Sequence, residues 1–181
     1  MGDRQAPASL VLVQELANTL DVESGRDRLG TADDLARFVR AHELTALRLG
    51  KHDLAGLRRL REALRAACLA HTGVPVPPEA VTALDRHLSE APLTLRLDGD
   101  GEADLRPAQG LSGLPAFTAH LAARIAAAAS DGTWARLKAC EADDCQWVYY
   151  DRSPAGRSRW CTMAVCGSRA KMRAYRARRA P

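Results

Sequence analysis

Apolar residues recur at helical spacing through the first ninety positions of the chain. Leu10, Val13, Leu16, Ala17 and Leu20 fall three and four apart, which lines one face of a helix. Thr31 followed by Asp34 has the arrangement of a capping box. It opens a second helix with Leu35, Phe38 and Val39 inward. In a third helix Leu54, Leu57, Leu60, Leu64 and Cys68 share one stripe. Arg58, Arg59, Arg61 and Arg65 lie elsewhere on its surface, on a face expected to be solvated, and Gly73 with Pro75 stops it. Pro77 and Pro78 open a fourth helix with Val81, Leu84 and Leu88 inward, ending before Pro92.

The period then changes from helical to two. Leu93, Leu95 and Leu97 alternate with Thr94 and Arg96, Asp98-Gly99-Asp100-Gly101 supplies a turn, and 102–106 returns, so a β-hairpin is predicted. Gly110 and Gly113 mark a loop. An Ala-rich helix follows from Leu114, with Phe117, Leu121 and Ile125 on its buried side, and Ser130-Asp131-Gly132 ends it. A short helix holding Trp134 and Leu137 is expected to deliver the chain to Cys140. Beyond it Trp147-Val148-Tyr149-Tyr150 reads as a strand, Ser153-Pro154-Ala155-Gly156 as a turn, and 157–160 as the returning strand, with Trp147 and Trp160 in a small core. After Cys166, Gly167 offers a tight backbone and Ser168 an N-cap for a helix from Arg169 to about Arg179. On that helix Arg169, Arg173 and Arg176 share a stripe, while Met172 and Tyr175 can pack back. The class is mainly α (α+β): a helical body with one hairpin, 1–132, followed by a small unit, 133–181.

A chain of 181 residues with 46% hydrophobic content can bury a real core as one large domain or two small ones. Its formal charge of +4 is unevenly spread. The segment 133–181 holds 11 Lys and Arg against 4 Asp and Glu, whereas 1–132 holds 15 against 18. A mildly acidic body therefore carries a cationic segment. No window approaches the roughly 20 apolar residues that span a bilayer, so no membrane role is expected. The first residues lack an apolar signal core, which points to the cytoplasm, or to the nucleoid if the chain binds DNA.

The cationic segment contains two equal cysteine pairs, Cys140-x4-Cys145 and Cys161-x4-Cys166. Four thiolates at short paired spacing suit one structural, tetrahedral Zn²⁺, because each loop brings two soft ligands to one face of the ion. Two disulfides or four unrelated thiols are the alternative, and disulfides would require an oxidising compartment. A finger of fewer than about 40 residues buries too little apolar surface to fold unaided, and metal ligation offsets that shortfall. Cys68, on an apolar stripe, reads as a buried bystander. Around the cysteines stand Arg152, Arg157, Arg159, Arg169, Lys171, Arg173, Arg176, Arg178 and Arg179, the footprint of a phosphate-backbone reader; a solvated tail is the plainer alternative. An enzyme is not expected. Four thiolates close the coordination sphere, the five histidines are scattered, and no nucleophile elbow, phosphate loop or dinucleotide fingerprint is present.

Cys140-x4-Cys145-x-Trp147, Asp151-x-Ser153 and Arg159-Trp160-Cys161-x-Met163-x-x-Cys166-Gly167-Ser168-Arg169-Ala170-Lys171 together resemble the CGNR zinc-finger family of bacteria. The upstream body is similar to the domain that accompanies this finger, described as a stress-induced transcription regulator, whose Asn-Thr-Leu signature stands here as Asn18-Thr19-Leu20. The resemblance implies zinc ligation by the four cysteines and a DNA-binding, transcription-regulating role. Ser168 replaces the family's namesake Asn; as an N-cap it would serve nearly as well, and as a base reader it would alter specificity. The body is expected to sense a small-molecule effector or to pair with a second copy as a homodimer. An RNA-binding module and an adaptor for a protein partner are the competing readings.

Overall fold

A computed structural model describes residues 4–179; the outer limits of the two predicted units, 1 and 181, lie outside them. Helix α1, Val11–Ala17, leads into a two-residue ladder of β1, Leu20–Asp21, and β2, Arg26–Asp27. Helices α2, Ala32–Ala41, α3, Leu54–Ala70, and α4, Pro78–Ser89, follow. The hairpin of β3, Leu93–Leu97, and β4, Ala103–Pro107, precedes the long helix α5, Gly113–Ser130. Strands β5, Leu137–Ala139, and β6, Val148–Tyr150, then form a second hairpin, and α6, Ser168–Ala177, ends the chain. The mainly helical class with small antiparallel hairpins is therefore the observed one. No described helix is long and apolar enough to cross a membrane.

The predicted caps and stripes account for most of the helical part. Thr31 accepts the Asp34 amide at 3.2 Å and Asp34 accepts the Thr31 amide at 2.8 Å, satisfying two amides that a helix start leaves without partners. Leu10, Val13, Leu16, Leu57 and Phe117 are completely buried in one core cluster. Leu137 and Val148 belong to that same cluster. The packing therefore runs from the helical part straight through β5 and β6.

Three expectations about the body need correction. The first helix ends at Ala17, so Leu20 lies in a strand; Asn18 turns its side chain to the backbone of Val148. On α4, Val81 and Leu88 are 43% and 46% exposed, while Leu84 packs on the core and His87, with Ala91 just past the helix end, is buried. The face of α4 turned inward carries Leu84 and His87, and His87 lies beside Gly56 of α3, where the missing side chain leaves room for Leu114 of α5, whose Cδ2 stands 2.2 Å from where a Cβ would lie. Finally, Arg61 and Arg65 are only 4% and 3% exposed. Their guanidiniums point inward to carboxylates and carbonyls.

Candidate metal centre

Strands β5 and β6 pair antiparallel with Leu137 opposite Tyr150, Lys138 opposite Tyr149 and Ala139 opposite Val148. Opposed residues share a face. Leu137, Ala139, Val148 and Tyr150 accordingly join the main core, and Tyr149 packs with Cys140 and Cys166 in a second small cluster. This corrects two expectations. Leu137 opens a strand rather than closing a helix, which shrinks to the 3-10 turn Trp134–Arg136, and the partner of β6 is β5 and not the segment 157–160, which is irregular. Of the two tryptophans expected in the small core, Trp160 packs half-buried on the second cluster, whereas its fully buried aromatic is Tyr149.

The first cysteine pair occupies the reversal between these strands. Cys140 donates its amide to Trp147 at 3.0 Å, and the amides of Cys145 and Gln146 both reach the Ala142 carbonyl. Gln146 takes a φ of 50°, an uncommon left-handed value for a residue with a Cβ. Of the second pair, Cys161 precedes a π-helical turn, Met163–Gly167, and Cys166 lies within it, just before the chain runs into α6. Gly167 earns its place by close approach, because a Cβ there would meet Met163 Sδ at 2.8 Å. Ser168 is not an N-cap: its backbone is already helical and its hydroxyl donates to the Met163 carbonyl at 3.0 Å.

These two turns bring the Sγ atoms of Cys140, Cys145, Cys161 and Cys166 within 4.8 Å of one another. Cys145 and Cys161 are 3.6 Å apart and Cys161 and Cys166 3.7 Å. Four sulfurs at ~2.3 Å from one tetrahedral ion would stand about 3.8 Å apart, so the quartet fits a thiolate-bound metal. Within the quartet an S–H from Cys145 holds the Cys140 thiol well below its usual range, while the Cys140 sulfur pushes the Cys145 and Cys161 thiols up. Burial raises Cys166. Four such thiols cannot ionise together without a cation among them. The fifth, Cys68, is fully buried on α3, and burial pushes its thiol up to about 12.

A buried ion pair shapes the loop that carries the second pair of cysteines. Lys138 and Asp151, 3% and 1% exposed, meet at 3.2 Å. Asp151 accepts the amides of Ser153 and Ser158 and the Ser158 hydroxyl, and Lys138 donates to the carbonyls of Gly156 and Ser158. Burial works against the Asp151 charge, yet the bonds from Ser153 and Ser158 hold its carboxyl well below the usual range. Tyr149 Oη donates to the Ser158 carbonyl at 2.9 Å. Sequence reasoning gave Asp151 no role, although Asp-x-Ser is itself a turn signal.

The helical part grips this centre through Asn18, which the sequence offers only as part of a signature, Gln14, which it leaves unassigned, and Arg65, which it places on a solvated face. Asn18 donates to the Val148 carbonyl at 2.7 Å and accepts the Val148 amide at 2.8 Å, standing in for a third strand beside β6. Gln14 donates to the same carbonyl at 3.2 Å. Arg65 donates to the carbonyls of Gln146, Ala17 and Leu20 at 2.9, 2.6 and 3.2 Å, tying the cysteine turn to the end of α1. A groove of about 1200 Å³, lined by Phe38, His42, Trp147, Cys145 and Cys161 among others, separates α2 from the cysteine turns.

The nine predicted cationic contacts divide in two. Arg159 is paired with Glu141 and stacks on Trp160, Arg169 is paired with Glu23 at 3.0 Å and Asp144 at 3.7 Å, and Arg152 donates to the Gln5 carbonyl and lies over Tyr150. Arg157, Lys171, Arg173, Arg176, Arg178 and Arg179 are exposed, the last stacked on Tyr175. Met172 and Tyr175, expected to pack back on the finger, are 51% and 45% exposed instead. Helix α6 thus stands away from the rest with only its first residues held.

Two family models match separate stretches of the chain. The model described as "CGNR zinc finger" matches residues 136–179, and the model named ABATE, "Putative stress-induced transcription regulator", matches residues 10–132. No curated protein matches the chain. With the larger match covering well over half its length, the chain belongs to the ABATE family and carries a CGNR zinc finger after the ABATE segment.

Proposed function

We propose that the four cysteines hold one structural Zn²⁺ and that the finger, through α6, binds duplex DNA in the service of transcription regulation, in response to stress as the family description suggests. The observation that carries this reading is the pose of α6. It leaves the π-helical turn of the metal centre with Lys171, Arg173, Arg176, Arg178 and Arg179 exposed along about three turns. Such a cationic rod, rooted in a rigid knot, suits a phosphate backbone. A sphere closed by four thiolates leaves no position for water or substrate, so the metal's part is to fold the finger rather than to catalyse.

The test is duplex binding over a salt series, comparing the parent chain with the double substitution Arg173→Ala and Arg176→Ala. Each lost phosphate contact lowers the slope of log affinity against log salt by about 0.9. The double variant is expected to lose about two contacts and to bind at least tenfold more weakly at low salt. Unchanged affinity would refute the reading. The exposed Met172 and Tyr175 on the same helix favour a protein partner as the second reading, and loss of capture on Met172→Ala with DNA binding intact would select it.

A further inference from the structure

The β3–β4 hairpin is apolar on one side only. Leu93, Leu95, Leu97, Ala103, Leu105 and Pro107 share that side by the register of the ladder, and Thr94, Arg96, Asp104 and Arg106 share the other. Yet Leu95, Leu97 and Leu105 are 61%, 67% and 41% exposed. A two-stranded hairpin in water is marginal alone, and an open apolar strand edge is something natural chains normally blunt. This one is anchored through β4, which packs on α5, leaving β3 as the outer strand.

The hydrogen bonds of the ladder say which groups face outward. Asp98 donates to Glu102 and Ala108 donates to Pro92, so the bonded pairs are those of the even-numbered residues of β3. The amides and carbonyls of Leu93, Leu95 and Leu97 therefore point away from β4, and no backbone partner for them is found among the described residues. We propose that this edge pairs with its own copy, β3 against β3 about a two-fold axis through Leu95, giving a four-stranded sheet across a homodimer.

Self-complementarity selects a second copy over other occupants. Centred on Leu95, an antiparallel pairing sets Leu93 against Leu97 of the second copy and Leu95 against Leu95, so every outward amide meets a carbonyl. Arg96 falls opposite Thr94 rather than another arginine, and like charges do not face each other. The competing edge, β4, fails the same test because Pro107 has no amide to offer. Nucleic acid is disfavoured by the hairpin tip, where Asp98, Asp100 and Glu102 gather. The pairing requires neither metal nor DNA, so it stands or falls apart from the function proposed above.

Sedimentation equilibrium on the full, metal-loaded chain, with hydrogen exchange read at single amides, tests it. The parent is expected to be a dimer at micromolar concentration with slow exchange at Leu93, Leu95 and Leu97. Leu95→Lys, which sets two ammonium groups against each other on the axis, is expected to give a monomer with an unchanged circular dichroism spectrum and at least tenfold faster exchange at Leu93 and Leu97. Thr94→Asp, which adds a carboxylate opposite Arg96 of the second copy and beside the chain's own Arg106, is expected to tighten the dimer about threefold to tenfold. It keeps the test decisive if the lysine variant does not fold. A monomeric parent, fast exchange at the three leucines in a dimer, or no tightening by Thr94→Asp would overturn the proposal.

Discussion

Replacing Asn18 by Ala tests the joint between the helical part and the metal finger. The side chain is 5% exposed and makes two bonds to one residue, accepting the Val148 amide and donating to its carbonyl. After truncation the carbonyl keeps the Gln14 amide at 3.2 Å, whereas the buried Val148 amide has no substitute. An orphaned buried donor costs about 1 to 3 kcal/mol, and the second, partly replaced bond about 1 kcal/mol more, for a total of about 2 to 4 kcal/mol. For a chain of this size that is a fall in Tm of roughly 4 to 16 °C. Urea titration and calorimetry of the metal-loaded protein measure it. Asn18→Asp should cost more, since it turns a carboxylate oxygen toward the Val148 carbonyl and buries a charge. A loss under about 0.5 kcal/mol for Asn18→Ala would refute the claim that this residue acts as a third strand beside β6.

Further outcomes follow from the same contacts. Lys138→Met removes one partner of a buried pair and should cost about 3 kcal/mol by urea titration, with the loop to Cys161 loosened. Because the folded carboxyl of Asp151 lies below its unfolded value, its contribution is complete at neutral pH and fades as pH falls below about 4 toward the folded value. The stability gap between the parent and Asp151→Asn should therefore shrink in acid, and a gap constant from pH 7 to pH 3 would contradict this. Thiol titration should find no fast-reacting cysteine in the metal-loaded chain, four after chelation, and Cys68 only after denaturation; early reaction of Cys68 would place it outside the core. Arg65→Ala should weaken metal retention as well as stability, since Gln146 loses the donor that holds the cysteine turn; retention equal to the parent's in a chelator competition would refute that link.

The cysteine quartet was legible because metal ligation demands particular residue types at particular spacing, and the Thr31–Asp34 cap and the 93–107 hairpin because their signals are local. Less legible was the choice of partner for β6. Both 137–139 and 157–160 are short and mixed in polarity, and only the reversal enforced by Cys140 and Cys145 decides between them. That reversal brings the segments flanking it together, a deduction the spacing would have supported. Arg61 and Arg65 were misplaced for a different reason. An arginine on a helix has the same periodicity whether its head meets water or turns inward, and only the tertiary arrangement supplies the Asp27 carboxylate that Arg61 meets and the carbonyls that Arg65 meets. Val81 and Leu88 show the converse, since a stripe at 81, 84 and 88 and one at 84, 87 and 91 have the same spacing, and only packing against the neighbouring helices decides that the second is buried. Ser168 failed as a cap because the turn before it is already helical, so α6 has no isolated beginning to cap.

X-ray absorption at the zinc edge of the purified protein addresses the central claim most directly. One zinc per chain with four sulfur neighbours at ~2.3 Å is the expected result. A spectrum with nitrogen or oxygen in the first shell, or protein without stoichiometric metal and with the cysteines joined in disulfides, would contradict it.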